Sequence, residues 1–159
     1  MIDPDELADK LVTTLPDVLP TLRWFGGKDR PINAVRPLRT TPLSDEMVHV
    51  IVEVEQPGRS EEYQLIISEH SDGFDATADP ERNGLLLTKI AAGDRVDGIT
   101  FAHEPGVELR TSLRGRPIGV EQSNTSLIYG QQYILKIFRK LARGENRDLV
   151  MHRALRGVG

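Results

Sequence analysis

The sequence predicts an α+β protein in which two helices pack on antiparallel strands. Two helix starts are well marked, because an aspartate precedes a proline at Asp3-Pro4 and again at Asp79-Pro80. Aspartate is a good cap, and proline suits the first position of a helix. Between them, two stretches of alternating apolar residues flank the Pro57-Gly58 pair, which is typical of an antiparallel hairpin. Short strand-like segments follow the second helix.

The first helix is predicted to begin at Asp3. Glu6 stands where a capping box needs an acidic side chain, and three leucines then share one face. We expect Pro16 and Pro20 to end the helix. The apolar face, which should pack on a sheet, consists of Leu7, Leu11 and Leu15.

Two strands are predicted in Asp45–Glu55 and Ser60–Glu69, joined by the turn Gln56–Arg59. The second helix should run from Pro80 to a stop at Gly93. The alternating apolar residues of the two strands are Val48, Val50, Val52 and Val54, then Tyr63, Leu65 and Ile67. Later strands are predicted at Ile99–His103, Val107–Leu113, Leu127–Tyr129 and Tyr133–Phe138, with a helix at Asn146–Arg156 and a domain boundary near Arg114–Gly119.

Composition excludes several classes of protein. The net charge is −4, and lysine and arginine are scattered along the chain, so no basic surface for nucleic acid is predicted. The chain has no cysteine, which excludes disulfides and thiolate sites. No apolar run near the N-terminus is typical of a signal peptide or a membrane span. We therefore expect a cytoplasmic enzyme or binding module.

The clearest functional signal is a polar turn followed by a strand that contains a lysine, within Gly119–Phe138. Small polar residues let backbone N–H groups and hydroxyls approach a phosphate. A lysine on the following strand can reach the α- or β-phosphate of a nucleotide. The predicted phosphate site consists of Gln122, Ser123, Asn124, Thr125, Ser126 and Lys136.

Each part of this motif also has a structural interpretation. A lysine inside Ile134–Phe138 is, by spacing alone, most often a solvent-facing residue of a half-buried strand. A polar turn is common on any surface, and Arg139 with Lys140 is interpreted as a solvated strand end. The loop Arg23–Lys28 holds the only tryptophan beside paired glycines, which either packing or ligand stacking would explain.

No metal site is predicted. The aspartates within Asp72–Asp79 lack the bidentate glutamate of a calcium loop. The four histidines are widely separated, without metal-ligand spacing. They are His49, His70, His103 and His152.

Three motifs together resemble the N-terminal half of the actinobacterial maltokinase family. They are RWFGGK at Arg23–Lys28, EQSNTS at Glu121–Ser126 and ILKIFR at Ile134–Arg139. The resemblance spans essentially the whole chain. It implies that residues 1–115 form a cap domain, a curved antiparallel sheet with packed helices. Residues 116–159 would then form part of a kinase-like N-lobe, with short antiparallel strands and a helix.

The resemblance implies an ATP-dependent sugar kinase that forms maltose 1-phosphate for α-glucan synthesis. By this likeness Gln122–Ser126 fall on the nucleotide phosphate loop and Lys136 on the phosphate-anchoring lysine, with ATP and Mg²⁺ as cofactors. In the family, the catalytic aspartate, the Mg²⁺ ligands and the sugar pocket belong to a C-terminal lobe. No catalytic or metal residue is therefore expected in this chain. Glucosamine kinase-like relatives share the organisation, so maltose and glucosamine are both possible acceptors.

One position departs from the family pattern. A glutamate that can pair with the strand lysine is usual where this chain has Val150, and Glu145 or Asp148 are the nearby carboxylates that would have to replace it.

Two functional hypotheses stay open. In the first, the chain is the N-terminal part of a sugar kinase whose activity needs the C-terminal lobe. In the second, it is a complete, non-catalytic cap module that docks on a trehalose synthase-type protein partner. The final residues Ala154–Gly159 are typical of a chain interrupted before its next strand, which favours the first hypothesis.

Overall fold

The structure, a computed structural model, describes residues 3–103, 106, 108–118 and 124–141. Within these residues the chain forms two α-helices and three antiparallel sheets, which confirms the α+β class. Neither helix combines the length and the apolar character that crossing a bilayer requires. The elements are α1 (Pro4–Val18), β1 (Ala34–Pro42), β2 (Val48–Gln56), β3 (Arg59–Ile67), α2 (Pro80–Ala92), β4 (Arg95–Val96), β5 (Ile99–Thr100), β6 (Gly115–Ile118), β7 (Asn124–Tyr129), β8 (Tyr133–Phe138) and β9 (Lys140–Leu141).

Helix α1 begins as predicted but extends past Pro16 to Val18. The Asp3 carboxylate accepts hydrogen bonds from the N–H groups of Asp5 and Glu6, at 2.8 and 3.3 Å. A proline this close to the C-terminal end removes one N–H donor and disturbs only the last turn, so the helix continues over it. The predicted leucines are all buried: Leu7, Leu11 and Leu15.

The largest sheet, here called the first sheet, has the strand order β1-β2-β3-β9. Strands β2 and β3 form the predicted hairpin, which runs from the turn to the pair Val48 and Ile67. The sequence analysis did not predict strand β1, because this strand lacks apolar alternation and contains Pro37. It pairs with β2 through a register shift between Pro37 and Arg39, and an edge strand tolerates a residue without an N–H donor.

The two faces of the first sheet pack on different parts of the chain. One face meets α1 and the loop residues Trp24 and Phe25, and the other meets α2 and residues Ile99 and Phe101. The sheet is therefore a layer between the two helices. The first core includes Leu7, Leu11, Leu15, Leu19, Val48, Val50, Val52, Val54, Tyr63, Leu65 and Ile67. The second core includes Leu43, Met47, Ile66, Ala76 and Leu86.

Helix α2 begins and ends as predicted. The Asp79 carboxylate accepts a hydrogen bond from the N–H of Glu81 at 3.0 Å. Gly93 follows the helix with a φ of 66°, a left-handed conformation that glycine adopts without strain.

The second sheet has the strand order β6-β7-β8 and packs one face on α2. Asn83 of α2, which is fully buried, fixes its edge. Its side chain donates to the carbonyl oxygen of Gly115 and accepts from the N–H of Gly115, both at 2.8 Å. The Tyr129 hydroxyl donates to the Asn83 carbonyl oxygen at 2.8 Å, and burial raises the pKa of Tyr129 to about 12.

Three predictions for the later part of the chain have different outcomes. Of Ile99–His103, only Ile99–Thr100 is a strand, paired with β4. Residues 108–113 form no strand, because Leu109 and Leu113 pack on the core of the second sheet while residues 111 and 112 turn. The predicted helix Asn146–Arg156 lies outside the described residues.

The division into residues 1–115 and 116–159 stays a prediction. Strand β8 leads almost directly into β9, and β9 pairs with β3, with Lys140 opposite Tyr63. The second predicted unit thus contributes a strand to the sheet of the first.

Candidate functional site

The face of the second sheet that points away from α2 carries Lys136. In antiparallel strands, residues directly opposite each other share a face, as do residues two apart on one strand. The register places Ser126 opposite Lys136 and Ile128 opposite Ile134. We call this surface the Lys136 face. Its members on β7 and β8 are Asn124, Ser126, Ile128, Ile134, Lys136 and Phe138.

The Lys136 face combines a cation with apolar side chains. Ile134 is 65% exposed, Lys136 is exposed, and Ile128 and Phe138 are half-buried. None of the ion pairs between described residues includes Lys136. Exposed apolar surface beside a charged group is typical of a ligand or partner site. It suits a ligand with a flat apolar part and an anionic part.

The predicted phosphate loop needs correction at Asn124, Thr125 and Ser126. These residues begin β7 and pair with β8, so they form a strand and not a turn. Ser126 pairs with both β6 and β8, and its backbone is part of the ladder instead of being free to cradle a phosphate. Gln122 and Ser123 lie outside the described residues.

Arg139 is buried, which corrects its interpretation as part of a solvated strand end. Only 2% of its surface is exposed. Its Nε donates to Thr125 Oγ1 at 2.9 Å, and its Nη2 donates to Thr77 Oγ1 at 3.0 Å. The guanidinium lies 5.3 Å from the centre of the Trp24 ring, within the range of a cation–π interaction. Lys140 is exposed, as predicted, but it is the first residue of β9.

The backbone next to Arg139 ties β8 to the first sheet. The N–H of Gln64 donates to the Arg139 carbonyl oxygen at 2.8 Å, and Gln64 Nε2 donates to the Phe138 carbonyl oxygen at 2.7 Å. Gln64 Oε1 in turn accepts from His49 Nε2 at 2.9 Å. The end of β8 is therefore held on β3, and Lys136, two residues before Phe138, has a defined position relative to the first sheet.

The charge of Arg139 is compensated indirectly. Burial lowers the pKa of Arg139, and the negative charge of Asp75 acts in the opposite direction. The guanidinium still carries its proton in any physiological medium. Asp75 Oδ1 accepts from both the N–H and the hydroxyl of Thr77, so this hydroxyl connects the carboxylate to the guanidinium. A buried charge requires such partners, because its hydration is lost.

A cavity of about 290 Å³ lies between the first sheet, α2 and β8. His49, Gln64 and residues 135–137 are part of its lining. Burial lowers the pKa of His49, the hydrogen bond that His49 donates to Gln64 opposes this shift, and the charge of Arg39 reinforces it. His49 is therefore neutral at pH 7, and its buried Nδ1 has no hydrogen-bond partner among the described residues.

The loop Arg23–Lys28 is explained by packing. Gln56 Nε2 donates to the Gly27 carbonyl oxygen at 2.7 Å, which holds the loop on β2. A Cβ atom at Gly27 would lie only 2.4 Å from Gln56 Oε1, so a larger residue would displace the side chain of Gln56. The ring centroids of the aromatic cluster lie 5.5 to 6.4 Å apart. The cluster consists of Trp24, Phe25 and Tyr63.

The described residues contain no group of three or more side chains suited to bind a metal ion. The aspartates of the 72–79 segment have local partners instead. Asp75 accepts from Thr77, and Asp79 accepts from the Ser71 hydroxyl at 2.7 Å as well as capping α2.

The loop Arg23–Lys28, here called the aromatic loop, matches a known domain together with strands β1 to β3 of the first sheet and α2. Residues 19–97 fit the family model of the maltokinase N-terminal cap domain. The chain carries a maltokinase N-terminal cap. The match covers the aromatic loop, strands β1 to β4 and α2, and it confirms the resemblance to the maltokinase cap. Of the three motifs, only Arg23–Lys28 lies within the matched residues.

Lys136 and Arg139 lie beyond the matched residues, yet both are attached to the cap. Strand β9 extends the sheet of the cap, and Arg139 stacks on Trp24 of the cap. Sequence reasoning missed Arg139 because an arginine directly after a strand is usually solvated. The one available signal was the lone tryptophan, a preferred partner of arginine. Asn83 was missed as well, since a single asparagine in a helix gives no pattern.

Proposed function

We propose that this chain is the N-terminal part of an ATP-dependent sugar kinase, in which the second sheet forms one wall of the nucleotide site. The presence of a maltokinase cap supports this assignment. So does the order of elements, in which β6 and β7 precede a third antiparallel strand that carries a lysine. On this proposal residues 1–115 are the cap, and the part from residue 116 onward begins the kinase N-lobe.

The observation that carries the proposal is the Lys136 face. An ammonium group lies on an apolar surface beside Ile134, which is 65% exposed. A nucleotide has a flat apolar base and a polyanionic chain. The apolar side chains of the Lys136 face suit the base, and the ammonium group of Lys136 suits the phosphates. The bonds of Gln64 and Arg139 hold this strand on the cap, so the position of Lys136 is fixed before a ligand arrives.

The residues present fit ATP in part. Lys136 would contact a phosphate, and Ile128 and Ile134 would lie beside the base. Gln122 and Ser123, ahead of β7, keep the predicted role of phosphate loop on this proposal. Asn124, on the Lys136 face, would contribute through its side chain, whereas the Thr125 hydroxyl accepts from Arg139 and Ser126 is fully buried. The described residues hold no cluster of carboxylates for Mg²⁺, so its ligands would come from other parts of the enzyme.

ATP supplies the phosphoryl group in such a reaction, and this chain supplies position and charge. Phosphoryl transfer depends mainly on alignment and on neutralising the charge of the phosphate oxygens. Lys136, fixed on the cap, would orient the phosphates. The sugar hydroxyl would attack the γ-phosphorus, the bond from this phosphorus to the bridging oxygen would break and release ADP, and the hydroxyl proton would pass to a base in the C-terminal lobe.

Binding of a fluorescent ATP analogue to the chain tests the nucleotide site. Lys136→Met should weaken binding at least about tenfold, because a charge-assisted hydrogen bond contributes roughly 1.5–3 kcal/mol. Lys140→Met is the matched control, since Lys140 is also exposed but lies on β9 and pairs with Glu61 at 3.0 Å. Equal affinities of the two variants would remove Lys136 from the site.

The acceptor is tested on the protein as the source cells make it, after its intact mass is measured. We expect ATP-dependent formation of maltose 1-phosphate, with glucosamine tested in parallel. Lys136→Met should lower kcat at least about a hundredfold while the fold is retained. Turnover of neither sugar by a full-length protein that binds ATP would reject maltokinase-type activity but not the nucleotide site.

A further inference from the structure

A second cavity, of about 260 Å³, lies beside the first sheet and is lined in part by Arg139. Its walls come from α1, β3 and the aromatic loop. Its deep part is buried, whereas Thr14, Val18 and Gly73 on its lining are exposed and mark its mouth. We call it the Arg139 cavity. Its buried apolar lining is Leu11, Leu15, Trp24, Leu65, Ile66 and Ile67.

The Arg139 cavity contains one buried cation in a mostly apolar wall that also includes Thr14 and Asp75. Arginine has five N–H donors. Three of them have acceptors among the described residues, namely the hydroxyls of Thr125 and Thr77 and, at 3.5 Å, the carbonyl oxygen of Gln64. These acceptors are all neutral. A guanidinium that is 2% exposed and lines a cavity therefore has donor capacity left for a ligand.

The backbone at the mouth of the cavity is strained. Phe74 has a φ of 62°, which is rare for a residue with a bulky side chain, and it follows Gly73 with a φ of 60°. Such a conformation persists only where surrounding contacts impose it, and strained residues concentrate at ligand sites. Phe74 is half-buried against the first core, so its ring forms part of the wall instead of pointing into solvent.

We propose that the Arg139 cavity binds a small carboxylic acid with an apolar body. The carboxylate would accept hydrogen bonds from Arg139, and the apolar body would lie against the leucines and Trp24. At about 30 Å³ for each water-sized group, the volume accommodates roughly nine such groups, which is close to the size of a medium-chain acid such as octanoate. Asp75 also lines the cavity, and its negative charge offsets part of the charge of Arg139. The ligand carboxylate would therefore depend on direct hydrogen bonds from the guanidinium.

This site is separate from the Lys136 face and needs no nucleotide. The Arg139 cavity is nevertheless close to the Lys136 face, because Arg139 comes three residues after Lys136 and donates a hydrogen bond to Thr125 of β7. An acid bound here would contact the side chain that fastens β8 to the cap.

Fluorescence of Trp24 tests the proposal directly, because it is the only tryptophan and lines the cavity. The chain is titrated with octanoate, octan-1-ol and octylammonium, which share one apolar body and differ in charge. We expect saturable binding of octanoate, at least about tenfold weaker binding of the alcohol, and the weakest binding of the amine. Absence of saturable binding, or a preference for octylammonium, would overturn the proposal.

Two variants locate the site. Val18→Phe adds bulk at the mouth and should weaken octanoate binding at least about tenfold. Leu38→Phe is the matched control, because Leu38 is also an exposed apolar residue, at 47% against 40% for Val18, and lies on β1 away from the cavity. Equal weakening in both variants, or in neither, would place the ligand elsewhere. Arg139→Met should remove the preference for octanoate over octanol, and circular dichroism checks that this variant folds. If it does not fold, the comparison of Val18→Phe with Leu38→Phe decides the test.

Discussion

The first and the second sheet are both antiparallel, but they are held in different ways. One face of the first sheet is covered by α1 and the aromatic loop, and its central valines Val50 and Val52 are completely buried there. The other face is covered by α2 at Ile66, whereas Arg36, Glu53 and Glu55 form ion pairs at the surface. The second sheet packs only one face on α2, and Ile134 on the other face is 65% exposed. The polar contacts of Asn83 fix its edge strand β6 at Gly115.

We interpret the first sheet as the scaffold and the exposed face of the second sheet as the binding surface. Burial of the face that meets α1 leaves no room for a ligand on that side of the first sheet except in cavities beside it. One face of the second sheet carries Lys136, which belongs to no ion pair between described residues, beside the exposed Ile134. The hydrogen bonds of Gln64 and Arg139 join the two, so that the exposed face is positioned by the covered one.

The largest expected effect on stability comes from removing a buried aromatic ring beside the first sheet, compared with removing an exposed apolar side chain from the second sheet. Phe25→Ala should lower the free energy of unfolding by about 3–5 kcal/mol, because the ring is 1% exposed and packs against Tyr63. Ile134→Ala on the Lys136 face should change it by no more than about 0.5 kcal/mol. Urea titration measures both. A large effect of Ile134→Ala would show that another part of the protein covers this face.

A smaller effect is expected at the polar contact between α2 and the second sheet. Asn83→Ala leaves the N–H and carbonyl groups of Gly115 without partners and should lower stability by about 1–3 kcal/mol. Amide hydrogen exchange should quicken in β6 to β8 before it does in β2. Asn33→Ala is the control, since Asn33 is exposed. Uniform acceleration in both sheets would mean that they unfold as one unit.

The smallest effect concerns pH and His49, which lies between the two sheets. Its pKa is lowered in the folded protein, mainly by burial. The unfolded chain therefore binds more protons than the folded one below the ordinary pKa of about 6.5, and stability falls as the pH drops from there towards the folded pKa.

His49→Gln should flatten this part of the stability curve. Thermal unfolding between pH 7.5 and pH 5 would measure it, with His70→Gln as the matched exposed control. If the stability of His49→Gln depends on pH as steeply as that of the unchanged protein, groups other than His49 cause the pH dependence.

Local signals predicted the elements whose boundaries are encoded by a few adjacent residues. The caps Asp3 and Asp79, the stop at Gly93 and the β2-β3 hairpin all came from patterns within a few positions. Strand β1 did not, because an edge strand with a proline has no alternation to detect. The phosphate loop was placed in a turn for a similar reason: a run of Asn, Thr and Ser favours turns locally, and pairing with β8 overrides that preference.

The sequence by itself determined the two helices, the main hairpin, the lysine-bearing strand and the family of the cap, since each depends on short-range patterns or on motif residues. Only the tertiary structure decided that Arg139 is buried on Trp24, that Asn83 fastens the second sheet, and that β9 completes the first. These features join residues that are 32 to 115 positions apart, and no local pattern specifies which distant partner a single polar side chain will meet.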